Sequence, residues 1–195
     1  MYQIPYGKIP IEKIELNKTT ISLKEGEQYA LNPNLTPELP KYLSDIVWTS
    51  SDDKTVTVKN GTLIAGITGT AKVTGTLGNK TVTCNVKVKY VPSNQALKSV
   101  TLTTKFLSDK KVKLQWKPVL GATGYEVYRK LENGTYKKIK NVDARTLEYV
   151  VKTKKATVSH TYKIRAYGKK PNGTYRYSKW TVKKTKNPYV YEYWW

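Results

Sequence analysis

The residues able to do covalent or metal chemistry are few, and their spacing works against it. Asp52 and Asp53, and Glu25 with Glu27, are the close acidic pairs of the chain. Extended side chains at adjacent positions point to opposite faces, and Asp52-Asp53 reads as a turn, where Asp commonly hydrogen-bonds the backbone. His160 is the single histidine and stands beside Ser159. On a strand these two side chains diverge, whereas a nucleophile needs its base within hydrogen-bond reach. Cys84 is the single cysteine, so no intramolecular disulfide forms and no His/Cys set is available for zinc. It falls in phase with Val82, Val86 and Val88, as a buried strand thiol does. No Gly-rich phosphate loop, zinc spacing or calcium loop occurs. The sequence therefore predicts no catalysis, no metal and no cofactor.

The chemistry of contact is better supplied. The chain holds 16 Tyr and 5 Trp against one Phe, and such rings combine an apolar body with a polar tip suited to half-buried sheet faces and interfaces. Its net charge of +21 is unevenly distributed. Residues 1–95 carry 11 Lys against 8 acids, a net of +3, whereas residues 96–195 carry 20 Lys and 4 Arg against 6 acids, a net of +18. Such a field attracts polyanions and is damped by salt within about 8–10 Å at physiological ionic strength. Lysine doublets at 110–111, 137–138, 154–155, 169–170 and 183–184 supply phosphate attraction. No element shaped for a nucleic-acid groove accompanies them, so no specific nucleic-acid binding is expected. An anionic glycan, a cell-wall polymer or an acidic protein surface fits the field equally well.

Two groups of residues are the candidate binding sites. Tyr128, Lys130, Lys163, Arg165 and Tyr167 alternate along two extended runs and would form an outward basic and aromatic face, either able to stack on sugar rings or bases or an ordinary solvated sheet face. The second group, Tyr189, Tyr191, Tyr193, Trp194 and Trp195, ends the chain in a segment too aromatic for a solvated tail. It is expected to anchor on a neighbour's sheet edge or pocket, the alternative being that it folds back onto its own module. Tyr2, Ile4 and Tyr6 could serve the same assembly. Six Asn-x-Thr sequons, at Asn17, Asn34, Asn60, Asn79, Asn133 and Asn172, follow from turn-plus-strand composition and predict no glycosylation.

The elements that must position these residues are strands. Asn60-Gly61, Gly78-Asn79, Asn133-Gly134 and Asn172-Gly173 each supply the positive φ of a tight hairpin. Between them the apolar residues alternate, as in Val112-Leu114-Trp116, Tyr125-Val127 and Tyr162-Ile164-Ala166, the signature of sheet with one buried face. The weak helix pattern at Thr36–Ser44 contains Pro37 and Pro40 and is expected to be a loop. A polar, Pro-containing joint at Tyr90–Gln95 predicts two modules in series. No stretch is apolar enough to span a membrane, and the N-terminus lacks the charged and apolar regions of a secretory signal. The fold class is all-β, with two tandem immunoglobulin-like β-sandwiches.

The ordered elements also carry resemblances. Ile21-Ser22-Leu23-Lys24-Glu25-Gly26, Val47-Trp48-Thr49-Ser50-Ser51-Asp52, Asn60-Gly61-Thr62-Leu63 and Gly66-Ile67-Thr68-Gly69-Thr70-Ala71 make the first module resemble the bacterial immunoglobulin-like group 2 family. That resemblance implies a core Trp48 and a tight corner bracketed by Gly66 and Gly69. Leu114-Gln115-Trp116-Lys117-Pro118, Gly124-Tyr125-Glu126-Val127-Tyr128-Arg129 and Tyr162-Lys163-Ile164-Arg165-Ala166-Tyr167 make the second resemble a fibronectin type III domain. There Trp116 would be the core Trp and Tyr162 the tyrosine-corner residue. The expected organisation is an N-terminal extension over 1–10, an Ig-like domain over 11–91, a linker over 92–96, a fibronectin type III-like domain over 97–186 and an aromatic tail over 187–195.

Neither family implies catalysis; members act as spacers and adhesive units in bacterial surface proteins, secreted glycan-degrading enzymes and phage virions. A Met1 start whose first residues are not a signal peptide favours a phage virion as the expected setting, as a capsid decoration or tail component contacting other virion proteins. The alternative is a fragment of a bacterial cell-surface or secreted protein that binds anionic wall polymer or carbohydrate.

Overall fold

Alternation of apolar and polar residues becomes sheet in both halves. The computed structural model describes residues 10–153 and 159–190. They fall into two units, one ending at Lys89 and the other starting at Tyr90.

In the first unit the strands are β1 (Lys13–Leu16), β2 (Thr20–Lys24), β3 (Gln28–Ala30), β4 (Pro33–Thr36), β5 (Val47–Ser50), β6 (Val56–Lys59), β7 (Thr62–Ala65), β8 (Gly69–Leu77) and β9 (Lys80–Lys89). One sheet has the order β2-β9-β8-β5, with β2 parallel to β9; a second runs β3-β7-β6, and β1 pairs with β4. Period two turns Ile21 and Leu23 of β2, Val73 of β8 and Cys84, Val86 and Val88 of β9 onto Val56 and Leu63 from the other sheet. Burying each such side chain contributes about 1.5–3 kcal/mol. Val82 continues the phase of Cys84 but packs on a smaller cluster of Ile14, Leu35 and Ile46. Trp48, expected as a core filler, instead lies half-buried on the edge strand β5 and packs against both clusters. It crosses Gly75, its partner on β8, where a Cβ would lie 2.8 Å from the indole. Gly66 permits the expected corner, since a Cβ there would fall 2.2 Å from the Lys54 carbonyl oxygen. Where a loop was expected, Pro40–Asp45 forms a short 3-10 turn, which tolerates proline at its start and buries none of its residues.

The second unit contains β10 (Leu102–Ser108), β11 (Lys111–Trp116), β12 (Gly124–Lys130), β13 (Tyr136–Asp143), β14 (Glu148–Lys152), β15 (Ser159–Lys169), β16 (Tyr175–Tyr177) and β17 (Thr181–Lys186). A three-stranded sheet β10-β11-β14 faces a sheet ordered β13-β12-β15, in which β16 and β17 both pair with β15. Their inward sides share one core built on Val112, Leu114, Trp116, Tyr125, Val127, Tyr162 and Ile164. Trp116 packs on Tyr125 with ring centroids 5.5 Å apart, and the Tyr125 hydroxyl accepts the Val119 N–H at 3.0 Å. Tyr162, expected as the tyrosine-corner residue, is fully buried.

Two side chains tie the start of this unit to its far strands. The Tyr90 hydroxyl accepts the Lys169 N–H and donates to the Lys169 carbonyl, both at 2.8 Å. Arg176 is buried with no carboxylate partner among the described residues; its guanidinium donates to the carbonyls of Gln95 and Gly121. The four expected turns all occur. Asn60 and Gly61 have φ of 48° and 76°, and Gly78, Gly134 and Gly173 are likewise left-handed. The Asn133 and Asn172 side chains accept from the N–H and hydroxyl of Thr135 and Thr174, so at these two sites the Asn-Gly-Thr spacing serves the turn.

Candidate functional site

The residues singled out for catalysis are occupied in holding the backbone. Asp52 accepts from the Lys54 N–H at 3.2 Å and the Thr55 hydroxyl at 2.7 Å. Glu25 accepts from the N–H and hydroxyl of Thr68, and Glu27 from the Lys24 N–H. His160 is buried and stacks on Phe106 at 5.7 Å; burial, then the nearby Arg129, lower its pKa. Burial raises the pKa of the Cys84 thiol. Among the described residues no group of three or more His, Cys, Asp or Glu side chains could hold a metal ion. No helix among them is long and apolar enough to cross a membrane.

The outer face of the β13-β12-β15 sheet is different. Register places Tyr128 beside Lys163, Glu126 beside Arg165 and Gly124 beside Tyr167, so alternation on two strands converges on one surface. The Lys163 Nζ lies 4.3 Å from the Tyr136 ring centroid, 4.3 Å from Trp180 and 5.2 Å from Tyr128. The Arg165 guanidinium stacks 3.9 Å from Tyr177 and 4.5 Å from Trp180. Contacts of this kind contribute about 0.5–1 kcal/mol at exposed sites and more when desolvated. Tyr167 extends the row, with Tyr175 at 5.6 Å and Tyr177 at 6.5 Å. It can do so because Gly124 has no side chain: a Cβ there would lie 2.3 Å from the Tyr167 hydroxyl.

Two irregularities complete the face. Val127 pairs with Lys140 but Tyr128 pairs with Lys138, so Ile139 is the extra residue of a β-bulge that sets Lys138 beside Tyr128. On the other side, Tyr177 is level with Tyr167 and Thr181 with Ile164, so Ser178, Lys179 and Trp180 face only Arg165 and Ala166. The surplus residue brings Trp180 level with Arg165 and onto the outer surface.

Glu126 anchors the arrangement from below. It is 7% exposed and accepts from the Lys138 Nζ and the Arg165 Nε, both at 2.7 Å. Burial pushes its pKa up, but the hydrogen bonds and charges of Lys138 and Arg165 prevail and hold it below the ordinary value. Lys138 is raised in turn, chiefly by its hydrogen bond to Glu126. Burial raises Tyr167.

The structure thus brings Tyr128, Lys163, Arg165 and Tyr167 together. It adds Glu126, Tyr136, Lys138, Tyr175, Tyr177 and Trp180, which the sequence reading did not place there. Lys130 stands apart: it is exposed at the end of β12 and borders a different surface pocket with Arg129, Lys152 and His160. Tyr189 is 54% exposed, and its N–H donates to Asn187, a buried side chain that donates to the Asp109 carbonyl. Tyr191, Tyr193, Trp194 and Trp195, like Tyr2, Ile4 and Tyr6, lie outside the described residues.

Residues 10–88 match the bacterial Ig-like domain (group 2) family. No curated protein matches the chain. Among solved structures, the crystal structure of FN3tt is similar at 20% identity over 49% of this chain and 99% of that one, with a TM-score of 0.39. A Fn3-like protein from Clostridium thermocellum is 21% identical over 45% of this chain and 92% of its own, with a TM-score of 0.36. A β-1,2-glucanase from Parabacteroides distasonis is 16% identical over 65% of this chain but only 17% of its own, with a TM-score of 0.38. The first unit is thus similar to the bacterial immunoglobulin-like group 2 domains over residues 10–88. The second unit is a two-sheet β-sandwich of orders β10-β11-β14 and β13-β12-β15. Ig-like and Fn3-like domains are typically structural or adhesive rather than catalytic.

Proposed function

We propose that the chain is a non-enzymatic adhesive protein whose second unit contacts an anionic polymer outside the cell. One observation carries the reading. On the outer sheet face of a unit with a net charge of +18, two cations are held against a row of rings, and the acid beneath them, Glu126, is buried. Cations fixed in this way meet a polyanion with little further ordering, and the surrounding field raises the rate of encounter. The proposed setting is the outside of a phage particle, where the chain would serve as a decoration or tail component. Mass spectrometry of purified particles tests the setting, which is wrong if the protein is found only in the bacterial wall fraction. Titrating the intact protein with an acidic and a neutral polysaccharide at several salt concentrations tests the contact. Binding to the acidic chain alone, weakening steeply with salt, is expected. Equal binding to both, or none, contradicts it.

A further inference from the structure

Lys163 and Arg165 have a property that the other cations of this face lack. Lys138 is paired with the buried Glu126 carboxylate. Among the described residues Lys163 has no carboxylate and no hydrogen-bond acceptor; three rings hold its ammonium, and its N–H groups are left for something else. Arg165 gives its Nε to Glu126, while the far edge of its guanidinium has no acceptor among the described residues. An ammonium or guanidinium offers several donors in a defined geometry, and an unpartnered one on a rigid support is an anion site with most of its ordering already done. The two residues are two positions apart on one strand and on the same face, which spaces the sites by roughly 7 Å along β15.

The rings decide what kind of polyanion fits. Tyr128, Tyr136, Trp180 and Tyr177 each have one face against Lys163 or Arg165, which reduces the ring surface left for bases of a single strand to stack on. Tyr175 and Tyr177 of the row remain 49% and 41% exposed and carry phenolic hydroxyls. Hydroxyls that both donate and accept match a chain that is itself rich in hydroxyls. We propose that this face binds an acidic polysaccharide lying along β15, with Lys163 and Arg165 gripping successive anionic groups. The proposal rests on the adhesive reading above and adds to it a ligand class and the two residues that hold it.

The test uses the intact protein and three probes of equal length: an oligouronate, a neutral oligosaccharide and a single-stranded oligonucleotide. The double variant Lys163→Gln with Arg165→Gln is compared with Lys105→Gln and Lys111→Gln. The latter pair removes the same charge from exposed positions on the opposite sheet. Circular dichroism checks that each variant is folded, and Lys163→Gln alone, which orphans no acid, is the fallback if the double variant is not. The oligouronate should bind at least about tenfold tighter than the neutral chain. The face variant should lose about tenfold or more of that affinity while the control pair loses less than about twofold. Equal losses in the two pairs would overturn the site and leave the polyanion reading standing. Tighter binding of the oligonucleotide than of the oligouronate would overturn the ligand class. Failure of every anionic probe would remove both the site and the reading beneath it.

Discussion

Each unit lays an aromatic ring across a glycine on the neighbouring strand, Trp48 over Gly75 in the first and Tyr167 over Gly124 in the second. The two rings end in different company. Trp48 turns toward two apolar clusters and helps to close its own unit. Tyr167 joins a row of rings and cations on a sheet face that looks outward. The exposed positions of β8 and β9 in the first unit carry small or linear polar residues such as Thr70, Lys72, Asn85 and Lys87. The corresponding surface of the second carries Tyr, Trp, Lys and Arg. The two sandwiches therefore differ less in how they are held together than in the residues that their outer faces present.

The comparison breaks most sharply at the second core. Trp116→Ala should lower the stability of the second unit by about 3–5 kcal/mol through lost burial and the cavity left behind. Denaturant unfolding should show that loss in the second unit while the transition of residues 10–88 stays in place; a matching loss in both would make them one cooperative body. Next comes Arg176→Ala, which removes a donor from the Gln95 and Gly121 carbonyls. It should cost about 1–3 kcal/mol in the same measurement. A neutral result would mean that these carbonyls find other donors.

The two glycines sharpen the contrast. Alanine at Gly124 meets both the Tyr167 hydroxyl and the Val142 carbonyl oxygen, the latter at 2.4 Å, and backbone cannot swing away. Alanine at Gly75 meets only the half-buried Trp48 ring, at 2.8–3.0 Å. Gly124→Ala should therefore cost about 1–3 kcal/mol, and Gly75→Ala visibly less in a parallel thermal melt. The smallest effect is expected from acid. Glu126 has a depressed pKa when folded, so its contribution is present above its unfolded pKa of about 4.3 and is lost as pH falls through the folded value. Glu126→Gln should flatten the fall in stability of the second unit between about pH 5 and pH 3, and leave that of the first unchanged. An unaltered acid profile would mean that Lys138 and Arg165 gain nothing from the charge.

Much of the fold was legible in the sequence because it depends on local rules. The Asn-Gly and Gly-Asn turns fix hairpin positions, and period two identified Trp116, Tyr125, Tyr162 and Cys84 as inward. The same parity placed Tyr128, Lys163, Arg165 and Tyr167 on one face. The rest of the face depends on register, which no single strand encodes. Lys138 and Trp180 arrive there through bulges, and Tyr136, Tyr175 and Tyr177 through pairings across strands. Glu126, on the same parity as Tyr128, was legible in principle; its acidity hid it among basic neighbours. Arg176 was hidden for a related reason, since its partners at Gln95 and Gly121 are carbonyls distant in sequence.

Nitrogen-15 NMR of the intact chain, titrated with an oligouronate at low salt, tests the central claim most directly. The account predicts progressive shifts confined to amides of β12, β15 and β16 and to the Trp180 indole, reversed by added salt, with residues 10–88 unmoved. Shifts centred on residues 10–88, or spread evenly over every lysine-bearing strand of the second unit, would contradict it.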